Sequence, residues 1–293
     1  MRLDEIHLRD PYVWTEQGEG CYYLYGTTGT TAWDGKAAGF DAYRSKDLVE
    51  WEGPFPVFRP AADFWADRHF WAPEVHRYRG RYYMFASFKA EDRHRATQIL
   101  TADHPLGPFV PHGDGPATPR DWECLDGTLF LDDDGAPWIV FCHEWTQIRD
   151  GEICAMRLTP ELDGTLGEPV TLFKSSDAYW PVEAEGKGNF VTDGPFLVRA
   201  DDGALLMMWS SHAKEGYAIG MARSLSGGIL GPWEQEPELL FEKDGGHGML
   251  FRTLEGQLLL SMHKPNLHPQ ERPVFFPVLL RDGKLQMGDE KGI

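Results

Sequence analysis

Leu125-Asp126-Gly127-Thr128-Leu129-Phe130-Leu131, followed by Asp132-Asp133-Asp134-Gly135 and by Ala136-Pro137-Trp138-Ile139-Val140-Phe141-Cys142-His143, is the stretch whose reading decides the fold. A short apolar strand, 127–131, meets a turn at Asp133-Asp134-Gly135 and returns as a ring-rich strand, 136–143, which is hairpin chemistry. The three consecutive aspartates resemble a calcium loop only in composition. Without the remaining ligands of such a loop they read as the hairpin turn. The same unit recurs at 11–14 with 21–27, 74–78 with 81–88, 194–199 with 204–211, and 248–253 with 257–263. Its turns are Gln17-Gly18-Glu19-Gly20, Arg79-Gly80, Asp201-Asp202-Gly203 and Glu255-Gly256. After each of the first four hairpins a further strand pair begins, at Asp41, Thr97, Ile153 and Tyr217. Three of these pairs end on a matching phrase, Gly53-Pro54-Phe55, Gly107-Pro108-Phe109 and Gly231-Pro232-Trp233, with Gly167-Glu168-Pro169 in the equivalent place of the remaining one. The last unit has 274–280 and 284–287 as its outer strands.

Five units in 293 residues give roughly 59 residues each, the size of a four-stranded propeller blade with generous loops. Helical periodicity is hard to find over any long window, which counts against α/β alternatives. The expected architecture is therefore all-β, a single five-bladed β-propeller spanning 1–293, with blades at about 10–60, 72–112, 125–172, 192–240 and 246–288. A β-sandwich is the runner-up. The 28 basic and 46 acidic residues give a net charge of −18, which repels phosphate backbones and anionic headgroups. Neutral ligands such as oligosaccharides meet no such penalty, so nucleic-acid and membrane partners are not expected, and no apolar run approaches the roughly 18 residues of a membrane-spanning helix. Cys21, Cys124, Cys142 and Cys154 form no CxxC pair and read as buried free thiols. Acidic residues stand at Asp4 and Glu5, where a signal peptide would carry its apolar stretch, and this points to the cytoplasm. Oligomeric state is not legible.

In a propeller the first strand of each blade lines the central channel. Asp10, Glu74, Asp126, Asp193 and His247 mark the starts of the five first strands, 64, 52, 67 and 54 positions apart. Any one of them reads as a turn residue beside Pro or Gly. Five together would place four carboxylates and an imidazole around one pole, where like charges raise one another's pKa and suggest catalytic use. Such carboxylates suit glycosidic hydrolysis, in which an acid protonates the leaving oxygen and a base activates water. No serine elbow, phosphate-binding loop or His-Glu-x-x-His helix is present, and His143-Glu144 is followed by no second ligand.

At these residues the chain resembles glycoside hydrolase family 43, five-bladed propellers that act with inversion on arabinose- and xylose-containing glycans. Arg9-Asp10-Pro11-Tyr12 is similar to the family's first-blade motif, whose Asp is the general base. Phe70-Trp71-Ala72-Pro73-Glu74-Val75 and Leu125-Asp126-Gly127-Thr128 are similar to the second- and third-blade motifs, and the Asp of the latter orients the base and tunes the acid. Thr192-Asp193-Gly194-Pro195 falls at the general acid, Gly246-His247-Gly248 at the hub histidine, and Arg272 at an arginine that reaches the sugar. Two departures stand out. Asp193 replaces the family's usual Glu, shortening the side chain by a methylene and drawing the carboxyl back by roughly 1 Å, and Gly127 stands where Pro is more usual.

The resemblance implies an inverting, exo-acting glycosidase, first of all an α-L-arabinofuranosidase. Asp10 would be the base, Asp193 the acid and Asp126 the residue that tunes it, while Trp71, Glu74, Glu144, His247 and Arg272 bind substrate. Glu144, at the pocket-facing end of a second strand, is the rival acid because of its longer reach, or else an acceptor for a sugar hydroxyl or a salt-bridge partner of Lys89 or Arg272. Trp71 is singled out as the wall that stacks on the sugar, while most other tryptophans belong to the core. No cofactor is required. At the hub, His247 either holds a calcium ion, directly or through water, or is hydrogen-bonded without a metal. β-Xylosidase or exo-β-galactosidase activity, or a sugar-binding propeller without catalysis, are the alternatives.

Overall fold

The structure is a computed structural model that describes residues 1–29 and 32–288. Five four-stranded antiparallel sheets follow one another along the chain, each with its strands side by side in chain order. Blade 1 holds β1 (Arg9–Glu16), β2 (Cys21–Thr27), β3 (Phe40–Ser45) and β4 (Trp51–Phe58), and blade 2 holds β5 (Arg68–Tyr78), β6 (Arg81–Ala90), β7 (Arg93–Ala102) and β8 (Val110–Pro111). Blade 3 holds β9 (Cys124–Leu131), β10 (Pro137–His143), β11 (Glu152–Leu158) and β12 (Thr165–Lys174). Blade 4 holds β13 (Asp193–Arg199), β14 (Leu205–Ala213), β15 (Gly216–Ser224) and β16 (Trp233–Gln235). Blade 5 holds β17 (Gly246–Arg252), β18 (Leu258–Lys264), β19 (Arg272–Arg281) and β20 (Lys284–Met287). This is the five-bladed β-propeller that the repeat implied, and the three Gly-Pro phrases each contain a cis peptide bond.

The apolar core is divided among the gaps between neighbouring blades. Phe141 and Phe85 fill the gap between blades 2 and 3, Trp209 and Phe173 that between 3 and 4, and Met208 and Leu260 that between 4 and 5. All four cysteines are buried and free. Among the described residues no strand is shared between the first and last blades, and the ring closes by packing and cross-blade hydrogen bonds. Ser261 Oγ donates to the Pro11 carbonyl at 3.0 Å, Thr15 Oγ1 donates to the Arg252 carbonyl at 2.6 Å, and the Leu254 N–H donates to Tyr22 at 2.8 Å.

Near its start every inner strand slips register by a bulge, between Arg9 and Tyr12, Trp71 and Glu74, Leu125 and Thr128, Asp193 and Phe196, and Gly246 and Met249. Each bulge holds one residue in the left-handed region: Asp10 (φ 51°), Ala72 (45°), Asp126 (56°), Gly194 (51°) and His247 (52°). For a non-glycine residue this backbone costs of order 1 kcal/mol or more, the kind of strain that collects at functional sites. Four of the five bulge N–H groups donate to a side chain at the end of the preceding blade's second strand. Asp10 donates to His263 Nδ1 (3.2 Å), Ala72 to Thr27 Oγ1 (2.8 Å), Asp126 to Ser87 Oγ (2.9 Å) and His247 to Ser210 Oγ (2.9 Å). At the equivalent place blade 3 has Cys142, paired with Leu125, and a thiol is a poor acceptor. There the Gly194 N–H turns to Asp126 Oδ2 at 2.9 Å instead.

This ring corrects the expected alignment of five equivalent side chains. Asp10, Asp126 and His247 are equivalent, but Asp193 stands one residue before its bulge and Glu74 two residues after. The residue following the bulge, Pro11, Pro73, Gly127, Pro195 or Gly248, carries the register, and the acid does not. For the same reason β5 starts at Arg68 and not at 74.

Candidate active site

Asp10, Asp126, Asp193 and His247 meet at the floor of a cavity of about 410 Å³ at one pole. His247 is the centrepiece, its Nδ1 lying 3.3 Å from Asp10 Oδ1 and 3.7 Å from Asp126 Oδ2. Burial disfavours its charge, but Asp10, Asp126, Asp193 and Glu74 outweigh burial and raise its pKa. Gly194 makes room for the ring, since a Cβ there would fall 2.9 Å from a carbon of the imidazole.

The two carboxylates proposed for the chemistry are pushed in opposite directions. Burial works against an ionised Asp10, yet His247, Arg9 and a 2.5 Å hydrogen bond from Thr27 together hold it below the ordinary carboxylate range. Burial drives Asp193 upward, and the Asp10 charge adds to this, only partly opposed by the Tyr217 hydroxyl donating to Oδ2 at 2.8 Å and by His247 and His212. Asp126 is pushed up to about 7, mainly by burial, with His247 opposing and the charges of Asp193 and Asp10 contributing. One carboxyl biased toward ionisation and one biased toward protonation face the same cavity, the kind of environment in which two carboxyls take different roles.

Behind Asp10, burial and the neighbouring Arg9 lower the pKa of His263 to about 3. The ring is therefore neutral, with Nδ1 accepting the Asp10 N–H and Nε2 donating to Asn266 Oδ1 at 3.1 Å, so its 3.5 Å approach to the Asp10 carboxylate is not an ion pair. Arg9 reaches into the cavity wall, held by Glu271 Oε1 and Asn266 Oδ1, both at 2.8 Å, and lying 5.0 Å over the Trp33 ring.

The remaining expected residues are only partly brought together. Trp71 lines the cavity, and His69 stacks on it at 4.6 Å while the Arg95 guanidinium lies 4.1 Å over its ring. His69 and Arg95 approach within 3.0 Å of each other, so they cover the same face of the indole. Glu144 lines the cavity too, but it is buried in an ion pair with Arg95, the partner supplied by β7, whereas Lys89 pairs with Glu123. Glu74 and Arg272 are corrections. Glu74 lies below the floor, bonded to His76 at 3.1 Å, because its position past the bulge turns it away from the cavity. Arg272 is spent on the carbonyls of Asp4 (2.8 Å), Pro269 (3.2 Å) and Glu271 (2.7 Å), pinning the N-terminal segment to blade 5.

Calcium does not fit the hub as a direct ligand set. His247 Nδ1 faces two carboxylates, which is the environment of an imidazolium, and among the described residues no three ligand atoms of His, Cys, Asp or Glu converge there. Arg9, Trp33, Arg95, Tyr217, Asn266 and His268 escaped the sequence reading. Only Arg9, inside the first-blade motif, carried a signal that could have exposed it.

A propeller whose polar cavity is lined by two carboxyls biased in opposite directions has the layout of a two-carboxylate glycoside hydrolase. The chain belongs to glycosyl hydrolases family 43, whose model matches residues 5–278, and the reaction of that family is hydrolysis of O-glycosyl bonds. A solved structure of an endo-arabinase from Bacteroides thetaiotaomicron is 43% identical, with TM-score 0.90, covering 97% of this chain and 98% of that one. An extracellular exo-α-(1→5)-L-arabinofuranosidase of Cellvibrio japonicus is 26% identical over 160 residues, 50% of this chain and 43% of its own. An extracellular endo-α-(1→5)-L-arabinanase of Bacillus subtilis is 21% identical over 193 residues, 59% of this chain and 58% of its own. The matches span between 24% and 58% of the length of the curated relatives. Two of these relatives are named extracellular, which overturns the cytoplasmic expectation. The acidic start of the chain that suggested otherwise says nothing about a segment preceding it.

Proposed function

We propose that the protein is an inverting, exo-acting α-L-arabinofuranosidase acting on neutral arabinose-containing oligosaccharides. The observation that carries this reading is the opposite bias of Asp10 and Asp193 across one cavity. Asp10 takes the proton of a water molecule that attacks the anomeric carbon, and Asp193 protonates the departing glycosidic oxygen. Asp126 donates no proton to the sugar: its Oδ2 holds the Gly194 N–H and so fixes the backbone that carries Asp193. Arg9, Glu144 and Trp71 hold the sugar. At about 410 Å³ the cavity is near the small end of ligand pockets, roughly 300–1,000 Å³, as suits a terminal residue.

Endo cleavage is the second reading, favoured by the 43% identity to the Bacteroides endo-arabinase. Linear α-1,5-arabinan and 4-nitrophenyl α-L-arabinofuranoside, followed by proton NMR, separate the two. Arabinose released first as the β-anomer, with no intermediate oligosaccharides, is the expected result. Early arabino-oligosaccharides would replace exo by endo action, and α-configured first product would overturn the inverting mechanism.

A further inference from the structure

Beside the cavity, and separate from the carboxylates of the hub, His7, His268 and Glu271 bring one ligand atom each to within 4.8 Å of one another. We propose that this cluster is a divalent transition-metal site, with Zn²⁺ the ion its donors suit best.

The three residues come from different parts of the chain. His7 lies in the segment leading into β1, while His268 and Glu271 lie in the connection from β18 to β19. His7 Nε2 is 3.2 Å and His268 Nδ1 is 3.6 Å from the same oxygen, Glu271 Oε2. Zinc–ligand bonds of about 2.0–2.1 Å in a tetrahedron place neighbouring ligand atoms about 3.3 Å apart, so both separations match ligands awaiting an ion. Hydrogen bonding alone accounts for the cluster poorly. His268 Nδ1 is buried without a hydrogen-bond partner, 3.6 Å from that shared oxygen. An orphaned buried nitrogen calls for an explanation, and a metal at the centroid supplies the missing partner.

The surroundings are those of a metal site. Glu271 is fully buried, and its other oxygen is fixed by Arg9 at 2.8 Å, the outer hydrogen bond that orients a ligating carboxylate. Both histidines are partly exposed, which gives an ion a way in, and the net charge of −18 draws cations to the surface. Two imidazoles and one carboxylate favour zinc over calcium or magnesium, which prefer all-oxygen shells. His268 also lines the sugar cavity, and Glu271 holds Arg9 there. A bound ion would therefore tie the N-terminal segment to blade 5 and stiffen the wall that carries Arg9.

The test uses untagged, chelator-treated protein titrated with Zn²⁺ and with Co²⁺. The wild type is expected to take up one ion per chain at this site, with the visible absorption of tetrahedral cobalt. His7→Gln and His268→Gln, checked for fold by circular dichroism, should each weaken uptake about tenfold or more and abolish that absorption. His247→Gln at the hub should leave both intact. No uptake by the wild type, unchanged uptake in both histidine variants, or loss of uptake in His247→Gln with retention in His7→Gln would each overturn the proposal.

Discussion

Replacing Tyr217 with Phe removes one hydrogen bond and no charge. The phenol lies buried with its pKa raised well above 10, mainly by burial and then by Asp193, so it is neutral throughout the working range. Its ring stacks on His263 at 5.7 Å, and Phe keeps that contact. What is lost is the 2.8 Å bond to Asp193 Oδ2, which favours the ionised over the protonated carboxyl. A hydrogen bond to a charged group is worth about 1.5–3 kcal/mol. The protonated acid accepts a weaker version of the same bond, so the low end applies, and at 1.36 kcal/mol per unit the acid should rise by about one pKa unit. The Asp193 charge is among those that raise Asp126, so the alkaline limb belongs to the pair and the shift is shared between them. The assay is kcat/KM against pH on an α-1,5-linked arabinobiose, whose poor leaving group needs the acid. The alkaline limb should move up by as much as about one unit, while the acid limb set by Asp10 stays in place. An alkaline limb that does not move, or moves down, would show that Asp193 is not the proton donor.

Other expectations follow from the same contacts. Asp10→Asn should lower kcat on every substrate by about 10²–10⁴-fold with the fold intact by circular dichroism, the usual worth of a general base. Asp193→Ala should slow arabinobiose cleavage by a similar factor but 4-nitrophenyl arabinofuranoside far less, and equal losses on the two would remove it from the acid role. Arg95→Met leaves Glu144 buried without its partner and should cost about 3–5 kcal/mol in urea unfolding, most of it recovered in Arg95→Met/Glu144→Met. Asp126 has a folded pKa near 7, above its unfolded value of about 3.9, so the stability it confers is fully present below about pH 4 and is lost as pH rises through 7. Asp126→Asn should therefore flatten the fall in melting temperature between pH 4 and 7, and a slope unchanged from wild type would contradict that pKa.

The propeller was legible because its signals are local and repeated: hairpin turns, alternating strands and the Gly-Pro closures all recur within one blade length. The hub was legible in part. Asp10, Asp126 and His247 share a backbone position, and the Pro or Gly that follows each of them announces it. Glu74 was misplaced because it follows Pro73, where its counterparts precede Pro or Gly, and that one exception measures its offset past the bulge. The departure at Gly127 has a structural reason: a Cβ would fall 2.6 Å from the Thr97 methyl, and the N–H that proline would remove donates to Thr97 Oγ1 at 3.2 Å. Arg95, Tyr217 and His268 were hidden for a different reason. They stand on a third strand or an inter-strand connection, where the repeat marks the strand but not which side chain turns to the site, and their partners lie 49, 24 and 3 residues away with no common spacing. Arg272 shows the converse hazard. A motif can fix where a residue stands in the chain without fixing what it touches, and here the guanidinium is turned to the N-terminal segment while Arg9, from the first blade, lines the cavity.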